Sequence, residues 1–413
     1  MPGRRAGAEP AGCDVTLAAR LTTTLDTAFP ALRRSRRKTL AVVCTGLLAV
    51  MAAARSGAGA LSLGALYRVL PSPGRPHSRE NRLRRFLDNP RLEGRAVSTG
   101  LARLLFRPGR RRFVPTVVDQ TQAGSTQALV VAVPFHGRAL PLAVWTFTYP
   151  WRERLPSQNT LEEWCLTEVE GSLPPGVLPV WIGDRGFTRA RLLGRCHREG
   201  RLFLLRGRGG TRIEYQGRSL KLKELPTPAG PPVRYAPVLY HARQRIPVDV
   251  IAYHEPGFRE PWYLVVPAGS AGLGSPAEIV ALYRERMQIE QSFRDFKTHL
   301  GLRGLRLQVR IAERMGRLLL AFCLAYALLL FLGSTPAGAT ARQDLEVPRR
   351  RARHGTTRTQ SVLSVARLML SHPRHAPGAF RALVHLLARL ARGWAVVPES
   401  TLCLPLTTGP PTK

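Results

Sequence analysis

The stretch "RFVPTVVDQT", residues 112–121, decides how the chain is read. Its β-branched residues and Phe113 favour an extended, half-buried strand, and the run closes on Asp119. Reading outward, "ALVVAVPF" (128–135) and "ALPLAVWTFTY" (139–149) make a second and a third strand. "TLEEWCLTEVEG" (160–171) has helical spacing, and "GVLPVWIGDRGFT" (176–188) is a strand that ends at Asp184. A helix at 188–199 and a strand "RLFLLRG" follow.

Three strands, helix, strand, helix is the order of a ribonuclease-H-like mixed sheet, so the expected class is α/β. From 206 to 270 the texture changes to short strands with Gly and Pro turns, such as "TRIEYQG", "IPVDVIAYH" and "PWYLVVP", which reads as a β-rich insertion. Helices are predicted around 276–300, 318–333, 361–371 and 377–393, with an arginine-rich link at 340–360. Ahead of the sheet, helical patterns cover 39–54, 62–70 and 78–90, with Ser78 as the expected N-cap of the last. The expected division is a poorly ordered basic N-terminus (1–37), a small helical DNA-binding domain (38–108) and a catalytic core (109–205 and 271–335) carrying the insertion (206–270). A basic linker, C-terminal helices and a tail (336–413) complete it, with "TTGPPTK" disordered.

The net charge of +35 and a pI near 11.5 favour a polyanionic partner. With 44% apolar residues the chain is a folded protein and not a basic disordered tail. Only five of the 62 basic residues are Lys, so Lys297 stands out. Six scattered cysteines, without CxxC or Cys/His spacing, speak against a structural zinc site or a disulfide scaffold and fit a reducing cytosol. Two apolar runs, near 39–54 and at 318–333, are short of the ~20 residues a membrane span needs and read as buried core helices.

The chemistry sits on "YRERMQIEQSFRDFK", residues 283–297. At about 100° per residue, Tyr283, Arg286, Glu290 and Lys297 fall within roughly 60° of one another on a helix. Leu282, Ile289, Phe293, Phe296 and Leu300 form an apolar stripe beside them, while Glu285 and Asp295 are expected to face water. The plain alternative is an amphipathic surface helix with i,i+4 charge pairs. Asp119 and Asp184, each closing a strand, would lie where ligands collect at strand ends, and Glu290 from a packed helix would join them. Three such carboxylates repel unless cations neutralise them, and an all-oxygen set suits two Mg²⁺ or Mn²⁺ ions. Arg79, Arg82, Arg84 and Arg85 crowd one short helix, either as a DNA-contacting unit or as a solvated basic face.

The spacing Y-x2-R-x3-E-x6-K from Tyr283 to Lys297 resembles the signature of insertion sequence 4 family transposases of the DDE class. "DQT" at 119–121, "DRGF" at 184–187 and "RRFLDN" at 84–89 are similar to further segments of that family, so the resemblance spans roughly residues 35 to 335. It implies that Asp119, Asp184 and Glu290 bind two metal ions. It also implies that Tyr283, Arg286 and Lys297 hold phosphates of the transposon end, and that Trp262 stacks on an unpaired or flipped base. The expected activity is divalent-metal-dependent cleavage at transposon ends and strand transfer by the 3′-hydroxyl. Its partners would be double-stranded DNA, both terminal inverted repeats and target, bound by a homodimer in the cytoplasm at the nucleoid and not at a membrane. The alternatives are a structure-selective nuclease of the same fold and a catalytically decayed DNA-binding regulator.

Overall fold

Strand β1 (Arg112–Ala123) organises the molecule, because two different pairings meet on it. On one side it runs antiparallel to β2 (Thr126–Phe135), which pairs antiparallel with β3 (Arg138–Thr148). His136 and Gly137 turn the β2–β3 hairpin with φ of 48° and 78°, the positive values that a tight two-residue turn requires. On its other side β1 runs parallel to β4 (Val177–Gly183), and β4 parallel to β5 (Leu202–Arg206). Parallel neighbours need crossover helices, and α6 (Gln158–Glu170) and α7 (Ala190–Arg198) supply them. The computed structural model describes residues 11–53, 61–123, 126–269, 273–302, 309–352, 356–393 and 402–404.

The β-rich segment is not a separate sheet. It comprises β6 (Arg212–Tyr215), β7 (Arg218–Lys221), β8 (Val233–Tyr240), β9 (Ile246–Tyr253) and β10 (Trp262–Pro267). Strand β10 pairs antiparallel with β5, Leu264 opposite Arg206, so one ten-stranded sheet runs β3-β2-β1-β4-β5-β10-β9-β8-β6-β7. The mixed sheet, with helices before and after it, is a ribonuclease-H-like α/β fold as expected.

Helix α8 (Pro276–Arg284) opens on a capping box, in which Ser275 and Glu278 satisfy each other's backbone N–H, with Pro276 at the first position. It leads into α9 (Met287–Arg294), which docks on the hairpin: Ser292 Oγ accepts from Ala139 N at 2.8 Å and Gln288 Oε1 from Phe135 N at 2.9 Å. Behind it lies α10 (Ala312–Ser334), whose Phe322 and Tyr326 rings meet Phe296 edge-on at 5.0 and 4.8 Å. It is long and apolar enough to cross a membrane, yet 89% of its most apolar window is buried inside the fold. This is the core helix expected at 318–333.

The N-terminal helices are α1 (Ala11–Ala28), α2 (Arg34–Ala53), α3 (Leu63–Arg68), α4 (Pro76–Leu87) and α5 (Gly94–Leu105). At the other end come α11 (Pro336–Leu345), α12 (Val362–Ser371) and α13 (Ala376–Ala391). The stretch expected to be poorly ordered over 1–37 is corrected from residue 11 onward. Leu17, Leu21 and Leu25 recur every fourth residue and are buried, and Thr24 Oγ1 donates to Leu387 O of α13 at 3.0 Å. Its partner comes from the far end of the chain, which is why the stripe looks unpatterned in isolation. Residues 1–10 and the "TTGPPTK" tail lie outside the described residues. Helix α4 begins at Pro76 with Arg75 as N-cap, not at Ser78, because a proline's fixed φ suits the first helical position.

Candidate active site

The register runs from Arg112↔Val177 to Val117↔Ile182, so Asp119 and Asp184 each lie just past the last β1–β4 pair. Asp184 follows the last residue of β4 and turns the chain, its Oδ1 accepting from Gly186 N at 2.8 Å. Asp119 does not close its strand, contrary to expectation: β1 continues to Ala123 because β2 goes on pairing with it, Asp119 opposite Val130. The parallel pairing with β4 ends earlier, at Val117, so β1 parts from β4 just before Asp119. The carboxylate therefore stands at the fork between two neighbouring strands, on a rigid strand interior.

Asp119 Oδ1 accepts from Gln120 N at 2.7 Å, and Oδ2 accepts from Arg286 Nη1 at 3.1 Å. The same guanidinium donates through Nη2 to Glu290 Oε1 at 2.6 Å. Burial pushes the Asp119 carboxyl up to about 6; the Gln120 N–H and Arg286 hold it down, while the charges of Asp184 and Glu290 add to the rise. Arg286 thus joins two of the three expected carboxylates, and the charge of Asp184, just past β4, also bears on Asp119.

The helix that carries Glu290 is not the single regular rod that a 100° projection assumes. After α8, Glu285 N and Arg286 N bond back to Leu282 O and Tyr283 O, each at 3.1 Å, a tightened i→i−3 turn. After α9, residues Asp295–His299 widen into a π-helical turn, closed by Leu300 N to Asp295 O at 2.8 Å. Asp295 itself is still in regular helical geometry, one turn after buried Ser292, and lies in the core at 1% exposure, where Arg138 and Tyr326 bond its carboxylate. The expectation that Asp295 faces water is thereby corrected. Glu285 is half-buried and accepts from Gln288 Nε2, and Lys297 lies half-buried on the widened turn.

Tyr283 is buried beneath Arg286, whose guanidinium lies 5.8 Å from the ring centroid, so the ring backs the arginine and offers no open face to a phosphate. Trp262 is corrected more firmly. At 2% exposure it is packed edge-on between Tyr283 at 5.0 Å and Phe258 at 5.2 Å, with Arg206 over its ring at 5.9 Å. An indole so enclosed cannot stack on a base. On α4, Arg84 and Arg85 are exposed and Arg82 is half-buried, whereas Arg79 donates to Ser72 O and Arg68 O and ties α4 to α3.

One site residue escaped the sequence reading. Glu162 on α6 is 3% exposed, and its carboxylate accepts from Gln120 Nε2 at 2.6 Å, from Gln158 Nε2 at 2.9 Å and from Arg189. Arg189 Nη1 also donates to Gly186 O at 3.0 Å, so one buried acid ties the strand bearing Asp119 to the turn bearing Asp184. The signal was available: Glu162, Leu166 and Val169 form an i, i+4, i+7 stripe with an acid at its head.

Among the described residues, no three His, Cys, Asp or Glu side chains group closely enough to hold a metal ion. The donor chemistry of Asp119, Asp184 and Glu290 nevertheless suits a hard divalent cation, since all of it is carboxylate oxygen. In the arrangement described, the Arg286 guanidinium supplies positive charge to two of the three.

Residues 165–328 match the family model described as the transposase DDE domain. The match begins within α6, takes in Asp184, the β-rich strands and Glu290, and ends inside α10, leaving Asp119 ahead of it. No curated protein matches the chain.

Proposed function

We propose that this transposase DDE domain makes the chain a DNA transposase of the insertion sequence 4 type. It would cut at the ends of its element and join the freed 3′-hydroxyl to target DNA, working as a homodimer on paired inverted repeats at the nucleoid. The observation that carries the reading is Asp119 just past the last β1–β4 pair, close enough to Asp184 for that charge to act on it, with Arg286 linking Asp119 to Glu290.

Asp119, Asp184 and Glu290 would hold two divalent ions, Mg²⁺ or Mn²⁺. Such ions supply, when bound, an activated oxygen nucleophile and neutralisation of the leaving oxygen. The protein's own part is positioning. Arg286 can exchange its two carboxylates for phosphate oxygens, which its planar fork accepts in pairs, while Tyr283 beneath it fixes the plane. Lys297 adds a point charge from the π-helical turn. Glu162 keeps the two aspartate segments at a constant spacing through Gln120 and Arg189. Arg82, Arg84 and Arg85 on α4 face the duplex away from the cut.

The test is nicking of a labelled duplex taken from the inverted repeats that flank the coding sequence, in Mg²⁺ and in Mn²⁺. Glu290→Gln keeps the size and removes the charge, so cleavage falls by orders of magnitude while end binding persists. Glu285→Gln changes the same charge five residues earlier and leaves cleavage nearly intact. If both variants cleave alike, the carboxylate cluster is not the catalytic centre.

A further inference from the structure

The arginine-rich stretch between α11 and α12 lies outside the matched domain and takes no part in the cleavage chemistry. It is built as two arms and not as a free link. Arg349 N donates to Thr357 O at 2.8 Å and Thr359 Oγ1 to Val347 O at 3.1 Å, so 347–349 runs beside 357–359. One acid closes the base. Glu346 Oε1 accepts from Gln360 N at 2.6 Å and from Thr359 N, while Oε2 accepts from Arg342 Nη1 at 2.6 Å. The same Arg342 nitrogen donates to Gln360 O at 2.7 Å. Burial pushes the Glu346 carboxyl up, but the Gln360 N–H, Arg342 and the Thr359 N–H more than offset that and hold it down at about 2.

Above that clasp Arg349, Arg350 and Arg351 stand exposed on one arm and Arg358 on the other. Among the described residues none of the four forms an ion pair with an acid. A solvated charge run needs no support, yet here one acid with a side chain only 5% exposed holds four like charges together against their repulsion. Their place is specific. Burial first, then the charge of Arg358, holds the His136 imidazole below its ordinary pKa, so Arg358 stands near the β2–β3 turn. On either side of His136, Phe135 N and Gly137 N donate to Gln288 Oε1 at 2.9 and 3.1 Å. The arms therefore reach the turn on which α9, the helix of Glu290, rests. The chemistry also selects the partner. A guanidinium's planar fork takes two oxygens of one phosphate. No Phe, Tyr or Trp occurs between 346 and 360, so the arms lack the stacking platform that holds single strands. A duplex needs none and carries one charge per about 1.7 Å of its axis.

We infer that the two arms are a contact surface for the phosphate backbone of double-stranded DNA, set in place by Glu346 and taking duplex beyond the stretch held at the acids. The inference rests on the DNA-cleaving reading above and adds to it a C-terminal surface that binds without cutting.

The test uses the full chain in EDTA, so that binding is read apart from cleavage. Fluorescence anisotropy against salt follows an end duplex of about 40 base pairs, roughly four helical turns, and a single strand of the same length. Arg349→Ala/Arg350→Ala/Arg351→Ala lowers the duplex salt slope by about 2.7, three phosphates at about 0.9 each, and weakens binding about tenfold. Preference for the end over a shuffled duplex stays, because phosphate contacts carry no sequence information. Glu346→Ala gives the sharper readout. Charge alone predicts tighter binding once an acid is gone, whereas loss of the clasp weakens the duplex about fivefold. Asp344→Ala removes an exposed acid two residues away and does not weaken it. Thr359→Val keeps the acid, removes the bond to Val347 and weakens the duplex in the same sense, which covers a Glu346→Ala protein that fails to fold. Unchanged affinity and slope in the triple variant overturn the surface, and an equal loss on the single strand overturns the duplex assignment. Glu346→Ala and Thr359→Val proteins that bind like Asp344→Ala overturn the clasp. A slope that falls in the triple variant of a protein unable to nick in Mg²⁺ or Mn²⁺ keeps the surface and sinks the cleavage reading instead.

Discussion

Two carboxylate–guanidinium pairs stand five residues apart on the segment after α8, and they are built to opposite ends. Asp295 is sealed: its side chain is 2% exposed, Arg138 answers it, and Tyr326 donates to Oδ2 at 3.0 Å from the core face of α10. Glu290 is 41% exposed at the side chain, and its partner Arg286 is shared with Asp119. Arg286 Nε is also buried without a hydrogen-bond partner among the described residues. A pair enclosed from every side has one arrangement, whereas a pair with one face in water and a shared, incompletely bonded arginine can change partners. The first holds α9 on the sheet, and the second is equipped for exchange with a ligand.

The sharpest way to break this contrast is Asp295→Asn, which leaves Arg138 part-buried without its anion. Burial holds the Asp295 carboxyl above its ordinary pKa even beside Arg138 and Tyr326, so the loss comes from the donors left unanswered and is about 1–3 kcal/mol. The urea midpoint should fall accordingly with an unchanged m-value, and a loss under about 1 kcal/mol would mean that the pair is solvated after all.

Asp119 gives an effect of up to the same size, through pH. Its folded pKa of about 6 lies above the ordinary 3.8, so its contribution to stability is complete below about 3.8 and is lost as pH rises through about 6. Asp119→Asn should remove that slope and leave the metal-free protein up to about 3 kcal/mol more stable than wild type at pH 8, with little difference at pH 3.5. Paired urea titrations at the two pH values decide it. Equal stability at pH 8 would show that Arg286 compensates the buried charge in full.

The smallest expected change in stability belongs to Glu290→Gln. Its carboxylate is partly in water, so the variant should unfold within about 1 kcal/mol of wild type even where the proposed cleavage is lost. A large loss of stability would move Glu290 into the same class as Asp295.

Much of this could be read in advance, for a local reason. Alternation and β-branching placed β1 to β5 in ribonuclease-H-like order. The apolar run at 318–333 read as a core helix, but the 23-residue α10 is long enough to span a membrane, and its burial is what puts it in the core. The grouping of Arg286 with Glu290 followed from helical spacing, since four residues make about one turn wherever the helix is regular. The failures have their own pattern. The 100° projection that brought Tyr283, Arg286, Glu290 and Lys297 onto one stripe also sent Asp295 to the solvent. A tightened turn at 285–286 and a widened one at 295–299 break the rod on either side of α9. Asp295 itself is still in regular helical geometry, so what the projection lacked there was its partners, Arg138 and Tyr326.

The sequence by itself determined the elements, their order and the acids that could share a site, because propensity, periodicity and spacing act within a few residues. Tertiary structure decided the rest through partners that sequence distance hides. β2 kept β1 extended past Asp119, and β10 joined β5 to make the insertion part of one sheet. Tyr326 and Arg138 drew Asp295 inward, Tyr283 and Phe258 enclosed Trp262, and α13 gave the leucines of α1 a surface to cover. Burial is a property of what packs against a residue, and no short window of sequence contains that neighbour.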